Sequence, residues 1–155
     1  MELSGKNGVG NILKIFLEIC FYLGVILLVA LPFVLNLMGF KLGASMFVIY
    51  PNGIVLLIMA YEFIKLFDSL KNNNPFCKEN IKIMKSTGIV AIVGAILWLI
   101  DLMYEVILAQ SNDLVFNCTL AFLAILYIGV AIALYILSEL FKQAYEYKKE
   151  NELTI

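Results

Sequence analysis

"LVFNCTLAFLAILYIGVAIALYILS", residues 114–138, carries no charged side chain at any position. About 20 mostly apolar residues at 1.5 Å each cross a hydrocarbon core of about 30 Å. This run is therefore read as a membrane span, and the rest of the chain repeats the pattern. Residues 19–40 and 42–61 are two more long uncharged runs, and 86–100 is a fourth, interrupted by Asp101 and resumed through Ile107. The spans are placed near 15–38, 46–67, 86–109 and 114–138. Backbone groups in lipid must be satisfied within the chain, so these are helices; none shows the alternation of a barrel strand. The expected fold is a single all-α domain over 1–155, an integral membrane four-helix bundle.

Composition supports this. Of 155 residues, 63% are hydrophobic and only 15% charged, too few charges to clothe such a core in water. The first uncharged run is too long for the apolar region of a signal peptide and has no convincing cleavage site, so it is taken as a permanent helix. Net charge is -1, which gives no reason to expect nucleic acid as a direct partner. The chain has no His and all 11 basic residues are Lys. Histidine-based zinc sites and Ser-His-Asp or Cys-His nucleophiles are thereby excluded. No nucleophile has a credible base, so an enzyme is not expected, and neither a cofactor nor a metal is assigned. Cys20, Cys77 and Cys118 lack any CxxC spacing and read as apolar filler.

Lysines in short loops orient the helices. The N-terminal segment holds Lys6 and Lys14. The second connection holds Lys65, Lys71, Lys78, Lys82 and Lys85, and the tail holds Lys142, Lys148 and Lys149. The opposite side has Lys41 alone. Both termini, the loop 68–85 and the tail 139–155 are expected on the cytoplasmic side. Cys20 and Cys118 then lie at opposite depths and do not pair. Ala91 with Ala95, and Gly129 with Ala133, put small residues one turn apart, where helix backbones can approach closely. Pro32 is expected to kink the first helix, and Pro51 to occupy the first turn of the second.

Five acids lie at or inside the spans. Glu18 and Glu139 are at helix ends, with Lys14 and Lys142 close in sequence. Glu62 lies deeper, and Lys65 three residues on can pair with it; a structural ion pair and a functional carboxylate are both open. Asp101 and Glu105 share a helix face toward the outer side, and like charges at that spacing repel. They are either solvated rim acids or part of a cavity facing water, a cation or a ligand. Asp101, Glu105 and Glu62 form the candidate intramembrane polar site.

The polar insert "NNNPFCKEN", residues 72–80, begins a second candidate region. Asn74 as N-cap and Pro75 at the first helical position read as a helix start. From there Phe76, Cys77, Asn80, Ile81 and Met84 make one face of a short amphipathic helix leading into the third span. The fourth span continues as a stripe through Leu137, Leu140, Phe141, Ala144 and Tyr145, so it is expected to extend past the membrane for about three turns. The two stripes can pack on each other, lie on the lipid surface or receive a partner. Asn80, polar within an apolar stripe, is expected to hydrogen-bond to the tail or to a neighbouring helix end.

"NNNPFCKENIKIMKSTG" and the ending "KKENELTI" carry a resemblance. They are similar to a bacterial four-span membrane family known only as domain of unknown function 2975. The matching residues are Pro75, Phe76, Asn80 and Gly88, then Glu150, Asn151, Glu152, Leu153 and Thr154. Members often have Gly just before the Pro-Phe; this chain has Asn there, and no Arg anywhere. The resemblance implies four helices in a bacterial cytoplasmic membrane and supplies no reaction. It also implies a pairing with a small helix-turn-helix regulator. The leading expectation is a non-enzymatic regulator or scaffold whose cytoplasmic face engages a soluble regulator. The alternatives are a small transporter, channel or ligand sensor using the intramembrane carboxylates, or an immunity protein against a membrane-active peptide. Besides the lipid bilayer, a homo-oligomer is a further candidate partner, since four helices alone make only a narrow pathway.

Overall fold

The computed structural model describes residues 9–37, 46–71, 76–108 and 113–153. All are helical apart from short connecting residues. The helices are α1 (Val9–Leu37), α2 (Met46–Lys71), α3 (Lys78–Met103) and α4 (Leu114–Leu153), with a single π-helical stretch, Tyr104–Leu108, closing α3. All four are long and apolar enough to cross a membrane. The all-α, four-span class is as expected.

Local chemistry sets the ends. Asp113 caps α4: its carboxylate accepts the Phe116 N–H at 3.0 Å, and its carbonyl accepts the Asn117 N–H at 3.0 Å. Inside the spans, hydroxyls turn back onto their own helix. Thr87 donates to the Ile83 carbonyl at 2.8 Å, Thr119 to Val115 at 2.8 Å and Ser138 to Tyr135 at 2.7 Å. These bonds satisfy polar side chains that lipid cannot.

Two sequence expectations are corrected. The third helix begins at Lys78, with Cys77 as its N-cap, and not at Asn74-Pro75, which lie outside the described residues. Cys77 is extended, at φ -119° and ψ 158°, and its carbonyl accepts the Ile81 N–H at 3.3 Å. The amphipathic segment and the third span are then one unbroken helix. Pro51 is the sixth residue of α2, past the first turn, so its ring removes one intrahelical N–H donor. Pro32 also lies within α1, which continues to Leu37. All three cysteines are free.

The helices pack in series among the described residues: α1 on α2, α2 on α3, and α3 on α4. The core lies at the junction of the last three. Val55 and Met59 from α2, Ala91 and Ala95 from α3, and Tyr127 and Ala131 from α4 form one buried cluster. Gly94 makes room for it. A Cβ at Gly94 would come within 2.3 Å of the Tyr127 ring and 3.0 Å of Val55. On the other side of α2, a Cβ at Gly53 would lie 2.2 Å from Leu28, and one at Gly24 3.0 Å from Leu57. Those two contacts seat α1, which exposes many large apolar side chains.

Gly94→Val forces the Tyr127 ring out of its slot. We expect a loss of about 1–3 kcal/mol, the range for overpacking a filled core. Thermal unfolding in detergent followed by circular dichroism checks it, and an unchanged midpoint would show that the slot has slack.

Candidate functional site

The alternation of helix directions gathers lysine-bearing ends at one end of the molecule. α1 and α3 start there, and α2 and α4 finish there. Lys14 of α1 bonds the Asp68 carboxylate of α2, and lies 3.4 Å from Glu18 on its own helix. Lys85 of α3 donates to Glu139 of α4 at 2.8 Å, and Lys142 stands 4.0 Å from the other Glu139 oxygen. The two interhelical pairs were not legible in the sequence, which offered only the neighbours Glu18 and Lys142. Complementary charges at one level of adjacent helices were the available signal.

At the same end, Phe76 packs on Phe141 with ring centroids 5.1 Å apart at 59°. The Lys78 ammonium lies 5.8 Å from the centre of the Tyr145 ring. Ser69, near the end of α2, meets Cys77 at 3.6 Å. The stripe before the third span and the stripe on α4 therefore pack on each other. Asn80 is 0% and Met84 4% exposed, so both lie inside the chain and neither belongs to an outer surface. Asn80 does not point into solvent. Phe76 remains 38% exposed. Ile81 and Tyr145 are half-buried, and Glu150 and Asn151 are exposed on α4. Glu152 and Leu153 complete the last turn of α4, while Pro75 and Thr154 lie outside the described residues.

The three intramembrane carboxylates do not form one site. Gly94 faces Val55 of α2 and Tyr127 of α4. In antiparallel helices rising 1.5 Å per residue, Glu62 is then about 20 Å along the axis from Asp101. Glu62 sits 3.9 Å from Lys65, as its spacing allows, and the Lys65 ammonium also lies 4.3 Å from the Tyr61 ring centre. Asp101 and Glu105 stay together at the far end. Asp101 is only 2% exposed, and its Oδ1 has no hydrogen-bond partner among the described residues. It is not a solvated rim acid. A carboxyl in that setting needs a proton, a cation or a donor. Glu105 is half-buried and lies in the π-helical stretch, one residue beyond Tyr104, whose N–H is shared between the Ile100 and Asp101 carbonyls. Such π turns frequently accompany functional positions.

Asp101 has polar company. The same register puts Asn52 of α2 about level with Leu97 and Trp98, and Asn117 of α4 about level with Tyr104. Asn52 is 2% exposed, and the Trp98 indole nitrogen is also buried. Lys65 and Glu139 lie toward the opposite end. Among the described residues no group of three or more metal-ligating side chains occurs.

Four long apolar helices, small residues at their closest approach and, among the described residues, lysines gathered at one end define a multi-pass helical membrane protein. A family model described as "Protein of unknown function (DUF2975)" matches residues 11–155, and the chain belongs to that family. No curated protein and no solved structure matches it.

Phe76 and Phe141 are expected to couple. A double-mutant cycle with both changed to Ala should return about 0.5–1.5 kcal/mol of interaction, read from thermal unfolding. Strict additivity would mean that the rings meet without holding the two helices together.

Proposed function

We propose that this protein is a non-enzymatic membrane scaffold or regulator. Its lysine-rich end faces the bacterial cytoplasm and engages a soluble partner. The observation that carries this reading is the length of α4. Its 40 residues rise about 60 Å, about twice the hydrocarbon thickness, so the helix stands well beyond the bilayer. With the span taken over 114–138, the 15 residues from 139 to 153 form the projection; it is braced at its base by Phe76 on Phe141 and by Lys78 over Tyr145. Above the brace, Tyr147 is 68% exposed, beside Glu146, Lys148 and Glu150 on the same solvated helix. A rigid helix with an exposed aromatic residue suits a protein partner. A small helix-turn-helix regulator is the partner class the family resemblance favours.

The test compares proteins that co-purify with the wild type, with Phe76→Ala, and with a chain truncated after Glu146. The reading expects a discrete partner to be lost from both variants while both keep the helical content of the wild type by circular dichroism. An unchanged set of co-purifying proteins removes its basis.

The buried Asp101 supports a second reading, in which the opposite end senses or passes a small cation or ligand. Trp98 lies three residues before Asp101 on the same helix face and is the chain's sole tryptophan. In liposomes, its emission is expected to change with pH or added cation in the wild type and to stay constant in Asp101→Asn. An identical response in both proteins would exclude Asp101 as the sensing group.

A further inference from the structure

A groove of about 280 Å³ runs between α3 and α4 on the lipid-facing side. Its floor is made where the two backbones approach closely. A Cβ at Gly88 would stand 3.5 Å from the Ala131 carbonyl oxygen. Ile89 and Ile92 on α3, with Ile128 and Ile132 on α4, rise as walls and are all exposed. The groove is thus apolar along about 10 Å of helix.

One end differs. Lys85 and Tyr135 close it at the lysine-rich boundary, and the Lys85 ammonium lies 5.9 Å from the Tyr135 ring centre. Lys85 is bonded to Glu139, which also has Lys142 within 4.0 Å. Two lysines therefore face a single carboxylate, leaving one net positive charge at the groove mouth. The Lys85 side chain is 40% exposed, so its remaining N–H donors are accessible to a ligand in the adjoining headgroup layer.

We propose that this groove is a binding site for an anionic phospholipid. Its phosphate sits at Lys85, and one acyl chain lies over Gly88 and Ala131 between the isoleucine walls. The charge at the mouth decides the class. A zwitterionic lipid brings its own cation to a site that already has one in excess, whereas a phosphatidylglycerol headgroup brings the missing negative charge. Basic pockets between spanning helices bind anionic headgroups by this principle. The site is formed by α3 and α4 alone, so it does not depend on the partner-binding reading.

Native mass spectrometry tests it on the full chain in detergent, with an equal mixture of phosphatidylglycerol and phosphatidylcholine carrying the same acyl chains. The wild type is expected to retain one lipid per chain, with phosphatidylglycerol enriched about fivefold. Lys85→Gln is expected to keep a lipid and lose the enrichment. Ile132→Trp, a change at an exposed wall position that requires no core rearrangement, is expected to lose the lipid. Lys149→Gln, on the projecting part of α4, serves as the control and keeps the wild-type ratio. Three results would overturn the proposal: equal retention of both lipids by the wild type, enrichment that survives Lys85→Gln, or a lipid-free dimer whose second copy covers the groove.

Discussion

The contact between Gly94 and the Tyr127 ring fixes most of the molecule. No hydrophobic force drives helices together inside lipid, so packing must come from close fit. Gly94, with Ala91 and Ala95 beside it, is where α3 lets a large aromatic residue of α4 and a branched one of α2 reach its backbone. Once that notch is filled, the antiparallel register has no freedom left. Gly88 must face Ala131, Lys85 must face Glu139, and Phe76 must arrive beside Phe141. The charged end and the groove are downstream of one missing side chain.

The serial packing follows from the same rule. α1 has its own small-residue contacts, Gly24 under Leu57 and Leu28 over Gly53, but they seat it on α2 alone. It contributes no residue to the core cluster. A water-soluble protein would pay dearly for so much exposed Ile, Leu and Phe on one helix. In a bilayer those side chains are already in their preferred solvent, and a helix needs only one good seam. The Lys14–Asp68 bond then pins that seam at its polar end.

The sequence made the four spans legible because lipid imposes a simple demand: length and absence of charge. The ion pair of Glu62 with Lys65 was also readable, since it lies within one helix and spacing alone decides it. Asn80 could be singled out as an anomaly in an apolar stripe, and its burial agrees with that. What could not be read lay between helices or in fine backbone geometry. Asn74-Pro75 has the composition of a helix start, yet the helix begins only at Lys78, after an extended Cys77, and Phe76 packs on Phe141. Lys85 with Glu139 is 54 residues apart in sequence, and only the Gly94 register brings them together. The π turn at Tyr104–Leu108 has no compositional mark at all.

Asp101 is the residue that packing does not explain. Three of the other four acids within or at the end of a span have a lysine beside them: Glu18 has Lys14, Glu62 has Lys65, and Glu139 has Lys85. Asp101 has Glu105, a like charge, one turn away, and the chain contains neither Arg nor His to offset it. An uncompensated buried carboxylate costs several kcal/mol or more. Leu or Asn would fill the same space more cheaply. Fit alone therefore gives no reason for a carboxyl at position 101, with Trp98, Asn52 and Asn117 buried or half-buried at neighbouring levels. The second reading proposed above supplies one, since a carboxyl can take up and release a proton or hold a cation where an amide cannot. The two ends of the molecule thus carry different chemistry. One gathers lysines into interhelical ion pairs; the other keeps an acid out of water.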